Sequence, residues 1–133
     1  MTNNNISTIQ SVYDAFGRGD VAAILDKLAD DVDWASEASR PVAPWHGPHK
    51  GKAEVPHFFQ SLADTVDVTD FTILSIAAND TDVMVVIRFA MFVRATGKQG
   101  QMELHHWWQF QDGKIVRYRG TEDTALTGEL LTP

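Results

Sequence analysis

Residues 102–123 read MELHHWWQFQDGKIVRYRGTED. A long apolar strand enters a turn at Asp112 and Gly113, and a second strand runs back. Alternate residues of a strand face opposite ways, so Met102, Leu104, His106, Trp108 and Phe110 form one face and Glu103, His105, Trp107, Gln109 and Gln111 the other. The even set reads as the core face, and His106 is its one strongly polar member. An imidazole in that row needs a partner or an open space beside it.

The turn sets which residues of the second strand join this row. A two-residue turn at Asp112-Gly113 pairs Trp108 with Arg117 and His106 with Arg119. A three-residue loop (Gln111, Asp112, Gly113) pairs Trp108 with Val116 and His106 with Tyr118. The longer loop puts Val116, Tyr118, Gly120 and Glu122 on the core face and sends Arg117 and Arg119 outward. Burying those arginines beside a tryptophan is costly, so the longer loop is the expected one.

Outward from this hairpin, the chain divides into helices first and strands later. Ile6, Ile9, Val12, Tyr13 and Phe16 recur at helical spacing, with Asn5 or Ser7 as cap. Gly17 and Gly19 end that helix, and Asp20 caps a short one carrying Ile24 and Leu28. Val32 to Ala35 is a short strand beside Trp34. Residues 36–51, rich in proline and glycine, read as a long loop carrying Glu37, Arg40, Trp45, His46 and His49. A third helix brings Phe58 and Phe59 to one side, with Pro56 limiting its start. Val66 to Ala78, with a bulge near Asp70 and Phe71, and Val83 to Ala95 are strands. Ala125 to Pro133 reads as a tail. This order predicts an α+β fold in which a curved antiparallel or mixed sheet wraps three N-terminal helices and leaves a cone-shaped pocket.

The chain has 133 residues, enough for one domain with its own core. Its formal net charge of −7 disfavours nucleic acid and anionic membrane as partners. With no cysteine, thiolate chemistry and disulfides are excluded. The N-terminus lacks a signal-peptide pattern, and no apolar run reaches the roughly 18 residues of a membrane span. The expectation is a soluble, cytoplasmic protein.

Four stretches carry a family resemblance: YDAFGRGD (Tyr13–Asp20), LADDVDW (Leu28–Trp34), Gly47 with Gly51, and HHWWQFQDGKIVRYRGTEDT (His105–Thr124). Together they resemble the SnoaL-like polyketide cyclases and ketosteroid isomerase relatives of the nuclear-transport-factor-two-like superfamily. The resemblance runs from about Ile6 to Thr124, within one SnoaL-like domain over residues 1–133. It implies a cone-shaped sheet around helices. His106 matches the place where the isomerases keep a neutral aspartic acid as oxyanion donor. Ser36 matches their general base, with Glu37 next to it, and their oxyanion tyrosine falls near Val12 or Tyr13. Gly120 stands near an acidic position of the cyclases.

The expected function is therefore a cofactor-independent enzyme of isomerase, cyclase, hydratase or hydrolase type, acting on a small hydrophobic carbonyl compound. His106, Glu37, Tyr13 and Glu122 are the candidate catalytic residues. His106 donates to an oxyanion, a carboxylate (Glu37 before Glu122) moves the proton, and Tyr13 positions the ligand. Phe16, Trp34, Phe58, Phe59, Trp108 and Tyr118 are the candidate pocket walls. The alternative is a non-catalytic ligand-binding or dimeric assembly module in which these aromatic residues are ordinary core. The spacing of His46, His49 and His57, interrupted by Pro48, does not suit a metal, and no cofactor is expected. The outer sheet face, with Trp107 among polar residues, is expected to pair two copies of the chain.

Overall fold

The strand Asp82–Val93 shows why this chain builds a sheet with two unlike faces. Val83, Val85, Ile87, Phe89, Met91 and Val93 are buried, and the residues between them, such as Met84, are more exposed. That period of two fits a strand covered on one side only.

The computed structural model describes residues 2–133. In chain order the elements are α1 (Thr2–Gly17), α2 (Val21–Leu25), β1 (Leu28–Ser36), β2 (Gly47–Lys50), α3 (Gly51–Thr65), β3 (Val66–Ala78), β4 (Asp82–Val93), β5 (Gln99–Gln111), β6 (Lys114–Thr121) and α4 (Thr124–Leu131). The strands form one mixed sheet in the order β2-β1-β6-β5-β4-β3. All neighbours are antiparallel except β1 and β6, which run parallel. The sheet is open and curved, and its concave face packs on α1 and α3 through Ile9, Val12, Val55 and Phe58. The fold is α+β, as the pattern of elements predicts.

Several boundaries differ from the sequence reading, each for a local reason. The hairpin turn is the two-residue one, with Asp112 at φ 51° and Gly113 at φ 78°. The strands then slip by one residue between Gln109 and Phe110. Phe110 faces Ile115 and Gln109 faces Arg117, so Val116 is a bulge and Ile115 takes the core position expected for Val116. Beyond the bulge, parity is restored: Trp108 pairs with Tyr118 and His106 with Gly120. Arg117 and Arg119 face outward as expected, though by another route.

Neither Asn5 nor Ser7 caps α1, since both lie inside it. β1 is longer than Val32–Ala35, and the loop expected over residues 36–51 contains β2, whose His49 pairs with Trp34. In β3 the register shifts fall between Val68 and Asp70 and between Ile73 and Ser75. The presumed tail is α4. The Asp123 carboxylate accepts from the Leu126 amide at its start, and the helix buries Thr127 and Leu130. Among the described residues, no helix is long and apolar enough to cross a membrane.

Candidate functional site

Between α1, α3 and the concave sheet lies a cavity of about 80 Å³ that opens to solvent. Its walls are mostly aromatic because inward positions of neighbouring strands fall in register. Trp34, Tyr118 and Trp108 stand side by side on β1, β6 and β5. Tyr118 lies 4.2 Å from Trp34 and 4.5 Å from Trp108, ring centre to ring centre. Phe58 and Phe59 from α3 pack on Trp34, and Phe16 from α1 packs on Phe59.

Into this apolar lining β5 projects His106. Its Nδ1 is 2.8 Å from the Tyr13 hydroxyl, and Trp108 Nε1 donates to the same oxygen at 3.1 Å. An indole nitrogen only donates, so the Tyr13 proton is free to point at His106. Nδ1 is its one acceptor among the described residues, which assigns the ring proton to Nε2. The chain of donors thus runs Trp108 to Tyr13 to His106 and ends at an N–H that lines the cavity. Burial, assisted by neighbouring His105, lowers the His106 pKa to about 3, against a smaller opposing pull from Glu122. Burial also pushes the Tyr13 phenol well up, so both groups are neutral at physiological pH.

Glu122 lines the same cavity as a largely buried carboxylate with three protein donors. Its Oε1 accepts from Trp45 Nε1 at 2.9 Å and from His46 Nε2 at 2.9 Å, and its Oε2 accepts from the Thr127 hydroxyl. His46 Nδ1 in turn accepts from the amides of Val42 and Ala43, each at 3.2 Å. That fixes the Nε2–H tautomer facing Glu122. Burial pushes the Glu122 pKa up, but the bonds from His46, Thr127 and Trp45 outweigh it and the net shift is downward. The carboxylate therefore ties the 37–46 loop and α4 to the end of β6.

The sequence profile of the SnoaL-like domain matches residues 9–118, most of the chain. The chain belongs to the SnoaL-like family. Comparison with curated proteins returns no match. Among solved structures, an NTF2-like protein of unknown function from Burkholderia pseudomallei superposes with a TM-score of 0.90 at 24% identity, over 98% of each chain. An NTF2-like protein from Burkholderia thailandensis gives 0.87 at 27% identity, over 100% of this chain and 99% of that one. TerC, co-crystallised with polyporic acid, gives 0.86 at 22% identity, over 96% of this chain and 98% of that one.

Within this SnoaL-like frame, the structure brings His106, Tyr13 and Glu122 to one cavity, with Phe16, Trp34, Phe58, Phe59, Trp108 and Tyr118 in its walls. Glu37 does not join them, which corrects the expectation that it moves a proton. Ser36 ends β1 facing inward, so the next side chain turns out, where Glu37 pairs with Arg119 Nε at 3.0 Å and is 55% exposed. Nor does Glu122 hydrogen-bond to His106 or Tyr13, since its partners are Trp45, His46 and Thr127. Ser36, matched to the isomerases' general base by the resemblance, lines the cavity, while Trp45, His46 and Phe71 belong to the site's surroundings without having been singled out for it from the sequence. Trp45 and His46 lie in an aperiodic loop, where no pattern reports which side chains turn in. Among the described residues, no group of His, Cys, Asp and Glu side chains converges as a metal site would require.

Proposed function

We propose that this SnoaL-like protein is a cofactor-independent enzyme that moves a proton on a small hydrophobic carbonyl compound. The observation that carries the reading is His106, whose Nδ1 lies 2.8 Å from the Tyr13 hydroxyl in the wall of an aromatic cavity. A donor fixed in an apolar site strengthens its bond as a carbonyl oxygen gains charge, because no solvent has to reorganise. Glu122 is the carboxylate on the same cavity. A carboxylate offers about four lone-pair positions, and its protein donors leave room for another proton. Held below its ordinary pKa, it is a weak base, which suits carbon acids activated by two carbonyl-type groups. In such a cycle Glu122 takes the proton from carbon, His106 stabilises the enolate oxygen, and the proton returns to a different carbon. In an aldol-type closure the enolate carbon instead attacks a second carbonyl, whose oxygen takes the proton.

Turnover of a panel of hydrophobic enones and 1,3-dicarbonyl compounds by wild type and His106→Gln tests this. The reading expects wild-type turnover that falls on the order of a hundredfold in the variant. Turnover that survives the substitution removes His106 from the chemistry. A second reading, a ligand-binding or assembly module, draws support from Glu122, whose bonds to Trp45, His46 and Thr127 have the form of a structural staple. Tight binding without turnover would favour it.

We further propose that the outer sheet face joins two copies of the chain. Met84 and Leu74 lie there 51% and 47% exposed. Beside Met84, Trp107 is braced by Asp82 and Arg117.

A further inference from the structure

Gly120 sits between Ser36 of β1 and His106 of β5 in the sheet register. It has no side chain, yet its place is filled. A Cβ built there would lie 2.2 Å from the Tyr118 hydroxyl and 2.9 Å from the ring carbon that bears it. Tyr118 therefore starts in the row of Trp34 and Trp108 and leans along β6 until its hydroxyl enters the next row. Only glycine at 120 leaves that position open.

The result is a polar row across three strands, laid over an aromatic floor. In it stand the Ser36 hydroxyl, the Tyr118 hydroxyl and the His106 imidazole, all lining the cavity. Ser36 and Tyr118 are 5% and 4% exposed. Among the described residues, neither hydroxyl has a hydrogen-bond partner within the protein. Neither hydroxyl is among the fully buried polar atoms without a partner, so both open onto the cavity, where a ligand or water can bond them. Strands lie about 4.8 Å apart, so Ser36 and His106 approach the central hydroxyl from opposite sides.

We propose that this row is a ligand-recognition site, with Tyr118 supplying the contact that position 120 cannot, for a flat ring bearing two oxygens on one edge. The proposal rests on reading the cavity as a ligand site. One oxygen bridges His106 and Tyr118, and its neighbour bridges Tyr118 and Ser36. The ring itself lies against Trp34 and Trp108. An apolar ring without oxygens would leave both hydroxyls unsatisfied.

Equilibrium dialysis with naphthalene, 2-naphthol and 2,3-dihydroxynaphthalene tests it. For wild type, each added oxygen is expected to tighten binding roughly three- to tenfold. Tyr118→Phe keeps the ring and its packing, and is expected to bind naphthalene as wild type does while binding both 2-naphthol and the diol more weakly, the diol by at least one such step. Ser36→Ala is expected to lose the second step only. Gly120→Ala should resemble Tyr118→Phe, because its methyl group displaces the hydroxyl. Thermal melting confirms that each variant is folded, and Tyr118→Phe decides the matter if Gly120→Ala is not. Wild type that binds the three ligands equally, or none of them, overturns the proposal. So does a Tyr118→Phe protein with wild-type affinity for the diol. These results are independent of turnover, so the recognition row can fail while His106 remains catalytic, and the reverse.

Discussion

The Tyr13 hydroxyl and His106 Nδ1 are 2.8 Å apart, and this contact sets which nitrogen of the ring is offered to the cavity. Removing the hydroxyl in Tyr13→Phe strands Trp108 Nε1–H and His106 Nδ1 together. Urea denaturation is expected to show a loss of roughly 2–4 kcal/mol, the cost of leaving two buried polar groups unpaired. A loss below about 0.5 kcal/mol would mean that this network contributes little to stability.

Stability should fall as the solution is acidified below neutrality. The folded ring of His106 binds no proton until about pH 3, whereas the unfolded chain takes one up below its ordinary value near 6.5. Between those limits the unfolded state holds more protons, so unfolding free energy rises with pH by about 1.4 kcal/mol per unit. His49, also lowered chiefly by burial, adds a contribution of the same sign. Denaturation of wild type and His106→Gln at pH 4, 5 and 6 isolates the His106 share. The difference between them should change with that slope, and a constant difference would contradict it.

Glu122→Ala should loosen the chain at two distant places at once. Trp45, His46 and Thr127 all lose their acceptor, which exposes the 37–46 loop and the first turn of α4 to local opening. Hydrogen exchange is expected to speed up at Val42 and Ala43 and at Thr127, while β4 keeps its protection. Unchanged exchange at Val42 would show that the loop holds itself down without the carboxylate.

The inward row of the β5–β6 hairpin was legible because the period of two is strong where one face is buried. The turn was not, and the reason is geometric. A two-residue turn plus a one-residue bulge at Val116 shifts parity as a three-residue loop does, so Tyr118, Gly120 and Glu122 point inward either way. Glu37 illustrates the opposite case, a residue one step past an inward-facing strand end that is turned out to Arg119. His46 gave no periodic signal, because its role comes from Val42, Ala43 and Glu122 meeting it in three dimensions. α4 hid behind Gly128, a poor helix former, although Asp123 was available as its cap.

If the outer face joins two copies, Met84→Arg should leave a monomer in sedimentation equilibrium at concentrations where wild type is a dimer. The half-exposed Met84 faces Trp107 across β4 and β5, so a charge placed there would be buried in the interface. Identical masses for the two proteins would send the search for an interface elsewhere.

The account turns on a neutral His106 that presents Nε2–H to the cavity. Nitrogen-15 NMR of the histidine-labelled protein reads both nitrogens directly. The expected spectrum has a protonated Nε2 and an unprotonated Nδ1 bonded to Tyr13, unchanged from pH 5 to pH 8. A ring protonated at Nδ1, or one that titrates near pH 6.5, would contradict it.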